Sequence, residues 1–266
     1  MTQAGISLHN VTRHFIRGDG QPVTAVNGVT LHVPKGEFVC LVGHSGCGKS
    51  TVLQMVSGLM PVSSGTISYD SHVVTGPGPE RGFVFQKDSV FPWMRVIDNV
   101  EYGLKRRGVG AEERRQIALR YLELVGLSHV AHAWPKELSG GMLKRVAIAT
   151  VFANGADVLM LDEPFAALDY VTKRQLHDVI LDLWGDTSAN RGRKRTVLFV
   201  THDVDEAMLL ADRIIVMHAG QVVDDMRVSA DRPRTTDSLA APEMLAIKHK
   251  LLAHLGLERH AGGGAA

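Results

Sequence analysis

Lys49 and Ser50 close the stretch Gly43-His44-Ser45-Gly46-Cys47-Gly48-Lys49-Ser50-Thr51. An ammonium and a hydroxyl behind a glycine-rich turn suit one chemistry, the holding of nucleotide phosphates. Lys49 reaches the β- and γ-phosphates, and the Ser50 hydroxyl takes Mg²⁺. Gly43, Gly46 and Gly48 let the backbone turn tightly. The N–H groups around Ser45, Cys47 and Thr51 can then approach phosphate oxygens. The stretch follows the apolar run Phe38-Val39-Cys40-Leu41-Val42 and precedes Val52-Leu53-Gln54-Met55-Val56. That order reads as strand, loop, helix, and the helix aims its positive dipole end at the same anion.

Two carboxylates follow another apolar run, Val158-Leu159-Met160-Leu161. Carboxylates at the end of a buried strand are costly unless something uses them. Asp162 suits a ligand of Mg²⁺ or its water. Alternation along a strand points Glu163 the other way, toward the γ-phosphate, as general base for the attacking water. His202 ends a third apolar run, Thr196-Val197-Leu198-Phe199-Val200. It is placed to hydrogen-bond the γ-phosphate and to hold the water and Glu163 in line.

The chain has 266 residues, 45% of them hydrophobic and 21% charged. That is enough for an α/β core with a subdomain. A net charge of +1 argues against binding nucleic acid by general electrostatics. Small basic patches at Lys105-Arg106-Arg107 and between Arg191 and Arg195 read as solvated helix ends and loops. The two cysteines, Cys40 and Cys47, fall in a strand and in the phosphate loop. Neither suits a disulfide, both suit a reducing compartment, and Cys47 beside a helix N-terminus is a candidate reactive thiol. The first residues lack the pattern of a signal peptide, and no apolar run spans a bilayer. Any membrane role goes through a partner.

Ile6 to Phe15 and Val23 to Val33 alternate as an antiparallel pair of half-buried strands, joined through Arg17-Gly18-Asp19-Gly20. Gly65 to Tyr69 is a further strand, and Gly82-Phe83-Val84-Phe85 is a short buried one ending at Gln86. From Asp88 to about Ala153, helix-period stretches dominate (Val96 to Lys105, Glu112 to Val125, Met142 to Phe152), and strand-like runs are absent. This predicts a helical subdomain inserted into the core. Within it, Ser139 caps a helix, and Gly140 and Gly141 leave that helix's N-terminus bare for an anion. Strands return at Asp157 to Leu161, 196–200, 213–218 and 221–224, with helices over Val171 to Trp184 and Val204 to Leu210. One amphipathic helix, Pro242 to Leu255, lies in the tail.

The phosphate loop, Gln86, Leu138-Ser139-Gly140-Gly141-Met142, Leu161-Asp162-Glu163-Pro164, Ala167-Leu168-Asp169 and His202 together resemble the ATP-binding subunit of ABC transporters, over about residues 6–228. The resemblance implies a P-loop NTPase (RecA-like) α/β core over about 1–87 and 155–228, with an antiparallel β subdomain, and an inserted α-helical subdomain over about 88–154. The cassette would span 1–228 and the tail 229–266. It further implies ATP and Mg²⁺ as ligands, with Ser50, Gln86 and Asp162 around the metal. Glu163, His202 and Gln86 are the catalytic set it implies. Phe15 would stack on adenine, where the family more often has tyrosine. Ser139, Gly140 and Gly141 would bind the γ-phosphate held by a second copy in a head-to-tail homodimer, with Asp169 at the contact.

A narrower similarity runs to the nitrate, sulfonate and taurine import branch. It rests on Phe85-Gln86-Lys87-Asp88-Ser89-Val90-Phe91-Pro92-Trp93, Asp98-Asn99-Val100, Gly76 to Gly82, Pro164-Phe165 and Val200 to Val204. It implies that Pro92 and Trp93, beside Gln86, dock an integral membrane permease at the cytoplasmic side of the inner membrane, with a solute-binding protein as indirect partner. A Trp93 that fills the helical core is the alternative. Other ABC transport systems including exporters, a soluble ABC ATPase acting on nucleic acid or ribosomes, and a P-loop kinase are the competing functions. The single cassette, the lack of heptads and the Ser139 to Gly141 motif argue against the last two. Three positions depart from the family: Lys144 stands for the usual Gln, Thr150 for Arg, and Ala166 for Gly or Ser.

Overall fold

The computed structural model describes residues 5–87, 90–166, 168–187, 192 and 194–257. Asp88, Ser89, Ala167, Arg191 and the glycine/alanine end fall outside them. Two long alternating strands, Gly5–Ile16 (β1) and Pro22–Pro34 (β2), pair antiparallel as their alternation predicts. Then come Phe38–Val42 (β3), Lys49–Ser57 (α1), Ser64–Tyr69 (β4), His72–Val73 (β5) and Arg81–Val84 (β6). The helical stretch holds Val96–Arg106 (α2), Ala111–Leu124 (α3) and Gly140–Ala153 (α4). Val158–Asp162 (β7), Tyr170–Gly185 (α5), Thr196–Val200 (β8), Val204–Leu210 (α6), Arg213–His218 (β9) and Gln221–Arg227 (β10) complete the core, and Pro242–His254 (α7) follows.

The strands form two sheets. The smaller has the order β2-β1-β4-β5, and the larger has the order β10-β9-β3-β8-β7-β6. In the larger sheet β6, β7, β8, β3 and β9 run parallel, and β10 adds antiparallel at the edge. Every residue of β3, β7 and β8 is buried, so their apolar runs need no polar face. Alternate residues serve opposite faces. Phe38, Cys40, Leu159, Leu161, Val197 and Phe199 join the core with α4, α5 and α6, whereas Val39, Leu41, Val158, Met160, Leu198 and Val200 join the core with α1 and the smaller sheet. No helix among the described residues is long and apolar enough to cross a membrane.

Three details correct the sequence reading. Arg195, read as part of a solvated patch, is buried, and its guanidinium donates to the carbonyls of Leu183 and Phe152 and to the Tyr121 hydroxyl. The strand before Gln86 ends at Val84 and not at Phe85, and Phe85 is an exposed aromatic. The short strand β5 pairs with β4 through only two registers, too short a run to leave an alternation signal. Both cysteines are free and buried. Burial pushes the Cys40 thiol up, and Cys47 lies inside the loop rather than on its open side.

Candidate functional site

The turn between β3 and α1 is braced by the protein's own backbone. A Cβ at Gly43 would run into the Met217 carbonyl, and one at Gly48 into the Ala25 carbonyl, with both backbones at positive φ. Two of the three glycines are therefore required by packing as well as by a ligand. Gly220 donates to the Cys47 carbonyl at 3.1 Å and accepts from Asn27 at 2.8 Å, which ties the loop to β2 and to the β9–β10 turn. Helix α1 starts after Gly48 with no side-chain cap and no acid in its first turn. Its N–H groups around Ser50 and Thr51 face the loop without a side-chain acceptor. Ser45 and Gly46 are exposed at the crest. Lys49 is only 4% exposed, and its ammonium donates to the carbonyls of Gly43 at 2.7 Å and His44 at 2.9 Å.

Across the loop, the Ser50 hydroxyl donates to Asp162 Oδ1 at 2.8 Å. A hydroxyl and a carboxylate in contact are hard oxygen donors of the type that Mg²⁺ takes. Burial pushes the Asp162 carboxyl above the usual range; the bond from Ser50 opposes this, the charge of Glu163 adds to it, and Lys49 opposes it. The residues thus fit a cation that is not part of the chain. Below the ordinary carboxylate value of 3.8 the group is protonated in both folded and unfolded chains, and costs nothing. Above its folded value the native state holds a charge that the unfolded chain would hold more easily. Asp162→Asn without nucleotide is therefore expected to be more stable than the parent at pH 7, a gain that vanishes near pH 3.8. Mg-ATP should reverse the order by stabilising the parent more. Thermal unfolding across pH, with and without Mg-ATP, checks this. An Asn variant no more stable than the parent at neutral pH would contradict it.

Glu163 is placed differently from the strand-alternation argument. It lies one residue past β7 with φ +42°, a conformation uncommon for a non-glycine residue. This left-handed turn, not the pleat, sets its direction, and the Glu163 N–H bonds the Val200 carbonyl at 3.1 Å. Gln86 Nε2 and His202 Nδ1 both lie 3.3 Å from Glu163 Oε2. The three residues expected to act together, drawn from three separate segments, meet at one oxygen. His202 sits two residues beyond β8. The preceding Thr201 fixes its backbone by donating from Oγ1 to Glu206 Oε2 at 2.6 Å and accepting from the Asp203 N–H at 2.9 Å. Glu206 was not singled out by sequence reasoning, since a carboxylate inside a short helix carries no signal of its own. Burial works against its charge, but the neighbouring His177, the bond from Thr201 and the ion pair with Lys173 at 3.1 Å overcome it and hold the carboxyl below the usual range.

Ser139 caps α4 as expected, accepting from the Met142 N–H at 3.3 Å. With Gly140, Gly141, His129, Asp169 and Thr172 it lines an open cleft in which no residue of the phosphate loop takes part. A single copy therefore does not bring the N-termini of α1 and α4 together in one cleft. Asp169 caps α5, accepting from Thr172 N at 3.0 Å and Oγ1 at 2.6 Å. Those bonds, the side-chain one first, hold its carboxyl below the usual range. Phe15, near the end of β1, is half-buried. The Arg13 guanidinium lies 4.8 Å from its ring centre, so one ring face is already stacked and a base would take the other.

After Gln86 the chain presents aromatic side chains. Trp93 is 71% exposed, which removes the reading of a core tryptophan. Phe91 packs 5.5 Å from Trp93 and 4.8 Å from Tyr102, ring centre to ring centre. The buried Asn99 holds this turn. Its Oδ1 accepts from the Phe91 N–H at 2.7 Å, and its Nδ2 donates to the carbonyls of Phe91 and Met94 at 3.2 Å and of Arg95 at 3.0 Å. Such a fully used amide explains an asparagine inside α2, where propensity disfavours it.

A family model described as ABC transporter matches residues 26–166. The nitrate import ATP-binding protein NrtD of Synechocystis sp. is 46% identical over 80% of this chain and 77% of its own length. The taurine import ATP-binding protein TauB of Rhizobium johnstonii is 41% identical over 94% of this chain and 96% of its own length. Among solved structures, the dimeric post-hydrolysis state of the ATP-binding cassette MJ0796 bound to ADP and Pi superposes with a TM-score of 0.74 at 31% identity, covering 85% of this chain and all of that one.

Proposed function

This chain belongs to the ABC transporter family as an ATP-binding cassette, an ATPase, and on that premise we propose that it energises an importer of a small anion such as nitrate, a sulfonate or taurine. The observation that carries the catalytic half is the meeting of Gln86 and His202 at Glu163 Oε2. Glu163 takes the proton of the attacking water. His202 holds that water and the γ-phosphate in line, and Gln86 positions the carboxylate. Lys49 and the loop N–H groups cradle the phosphates, and Phe15 stacks on adenine. Ser50, Asp162 and the amide of Gln86 would hold Mg²⁺, which neutralises charge on the β- and γ-phosphates.

The separation of the Ser139–Gly141 cleft from the phosphate loop supports a head-to-tail dimer of two copies. Each copy offers its bare α4 end to the γ-phosphate held by the other, with Asp169 at the contact. ATP then joins the copies, and hydrolysis releases them. Charge-assisted bonds of roughly 1.5–3 kcal/mol each are strong enough, several per site, to favour the closed pair. The exposed Pro92 and Trp93, in the Phe91–Arg95 turn that Asn99 holds, form the anchor for a permease helix at the inner face of the membrane. A solute-binding protein supplies the anion from the other side. The nitrate and taurine importers among the relatives favour this solute class.

Uptake in cells tests the reading. A strain lacking this chain should lose uptake of isotope-labelled nitrate or taurine, and the parent gene should restore it. The Trp93→Ala gene should fail to restore uptake, although the purified variant still hydrolyses ATP. Parent-level uptake of both solutes in the deletion strain would overturn the solute assignment. Full restoration by Trp93→Ala would remove that residue from the docking face.

A further inference from the structure

Lys144 lies on the second turn of α4 and is only 4% exposed. Among its partners are two main-chain carbonyls of a distant segment. Its ammonium donates to the carbonyl of Phe85 at 3.0 Å and to that of Gln86 at 2.9 Å. An ammonium taken out of water is costly unless its donors are used, and bonds from a charged donor are the strong ones. The fork therefore fixes the backbone of Gln86 firmly, from a helix remote in sequence. The same helix begins at Ser139–Gly141, roughly 7 Å away along its axis. The side chain of Gln86 in turn reaches Glu163. A rigid helix thus joins the end that faces another copy to the residue beside the catalytic carboxylate.

We propose that Lys144 is a positioning residue that couples the two: a shift of α4 on meeting the second copy's phosphate is passed through Lys144 to Gln86, and so to Glu163. The proposal rests on the roles given above to Gln86, Glu163 and the α4 N-terminus. A neutral residue at 144 would make weaker bonds to the same carbonyls, so the lysine stiffens the link.

Steady-state phosphate release by the purified full chain tests it. Lys144→Met keeps side-chain length and removes the donor. Its kcat should fall about tenfold with KM for ATP within about twofold, because an interaction that acts on turnover is lost and ground-state binding is kept. Gln86→Ala should also slow turnover. The double variant should be no more than about twofold slower than Gln86→Ala alone, since Lys144 acts through that residue. Should Lys144→Met fold poorly, Lys144→Gln, which retains a donor, is expected between parent and Met, with the same non-additivity against Gln86→Ala. Multiplied losses in the double variant, or a loss carried wholly by KM, would overturn the coupling while leaving Gln86 in place. A parent rate for Gln86→Ala would overturn the reading beneath it, and the coupling with it. A lysine with a merely structural role would give independent losses.

Discussion

Glu163→Gln is expected to bind ATP as the parent does and to lose turnover by about 10²–10⁴-fold. The substitution keeps the size of the side chain and its acceptor oxygen, so contacts with Gln86 and His202, both 3.3 Å away, can persist. What disappears is the basic site. The backbone at φ +42° sets the direction of the side chain irrespective of its charge. With hydrolysis blocked, the phosphate proposed to join two copies is not consumed, and a dimer should accumulate in Mg-ATP. Phosphate release, ATP titration and size-exclusion chromatography measure the three effects. A parent rate would remove Glu163 as the base. Blocked turnover with no dimer would leave the base in place and remove the ATP-joined pair.

Much of this site is legible in the chain because its chemistry depends on local order. A glycine-rich turn between an apolar strand and a helix fixes Lys49 and Ser50, and carboxylates after a buried run mark Asp162 and Glu163. Serine before two glycines marks the cap at Ser139. The central strands β3, β7 and β8 are equally plain, since four or five apolar residues in a row can only be covered on both faces. What escapes is set by contacts distant in sequence or by single backbone angles. The direction of Glu163 follows from one left-handed residue that alternation could not anticipate. Asn99 reads as a poor helix residue until its four partners in the Phe91–Arg95 turn are seen. Lys144 reads as a departure from the family and proves to be a link to Gln86 across 58 positions of sequence. Thr150, another departure, bonds the Val146 carbonyl one turn back at 2.8 Å, so its hydroxyl is satisfied within the helix. Nothing in the described residues accounts for Ala166.

Lys49→Ala is expected to weaken ATP binding roughly ten- to a hundredfold, the range that a lost charge-assisted bond of about 1.5–3 kcal/mol allows. The effect is bounded by where the ammonium already sits. It is buried and donates to the Gly43 and His44 carbonyls. Engaging a phosphate is then an exchange of partners rather than the capture of a free cation, and only the surplus of a charged acceptor over a carbonyl appears as affinity. The same placement predicts a second loss. Without the ammonium the Gly43 carbonyl is left inside the loop, and an unsatisfied buried acceptor costs about 1–3 kcal/mol. The variant should therefore melt lower than the parent even before nucleotide is added. Lys49→Arg should not recover the affinity, because a planar guanidinium cannot fit the fork made for a compact ammonium. Calorimetric titration with Mg-ATP and thermal unfolding without it separate the two effects. Unchanged affinity in Lys49→Ala would remove the loop from phosphate binding. Lost affinity with an unchanged melting temperature would mean that the ammonium does not rest on those carbonyls before the nucleotide arrives.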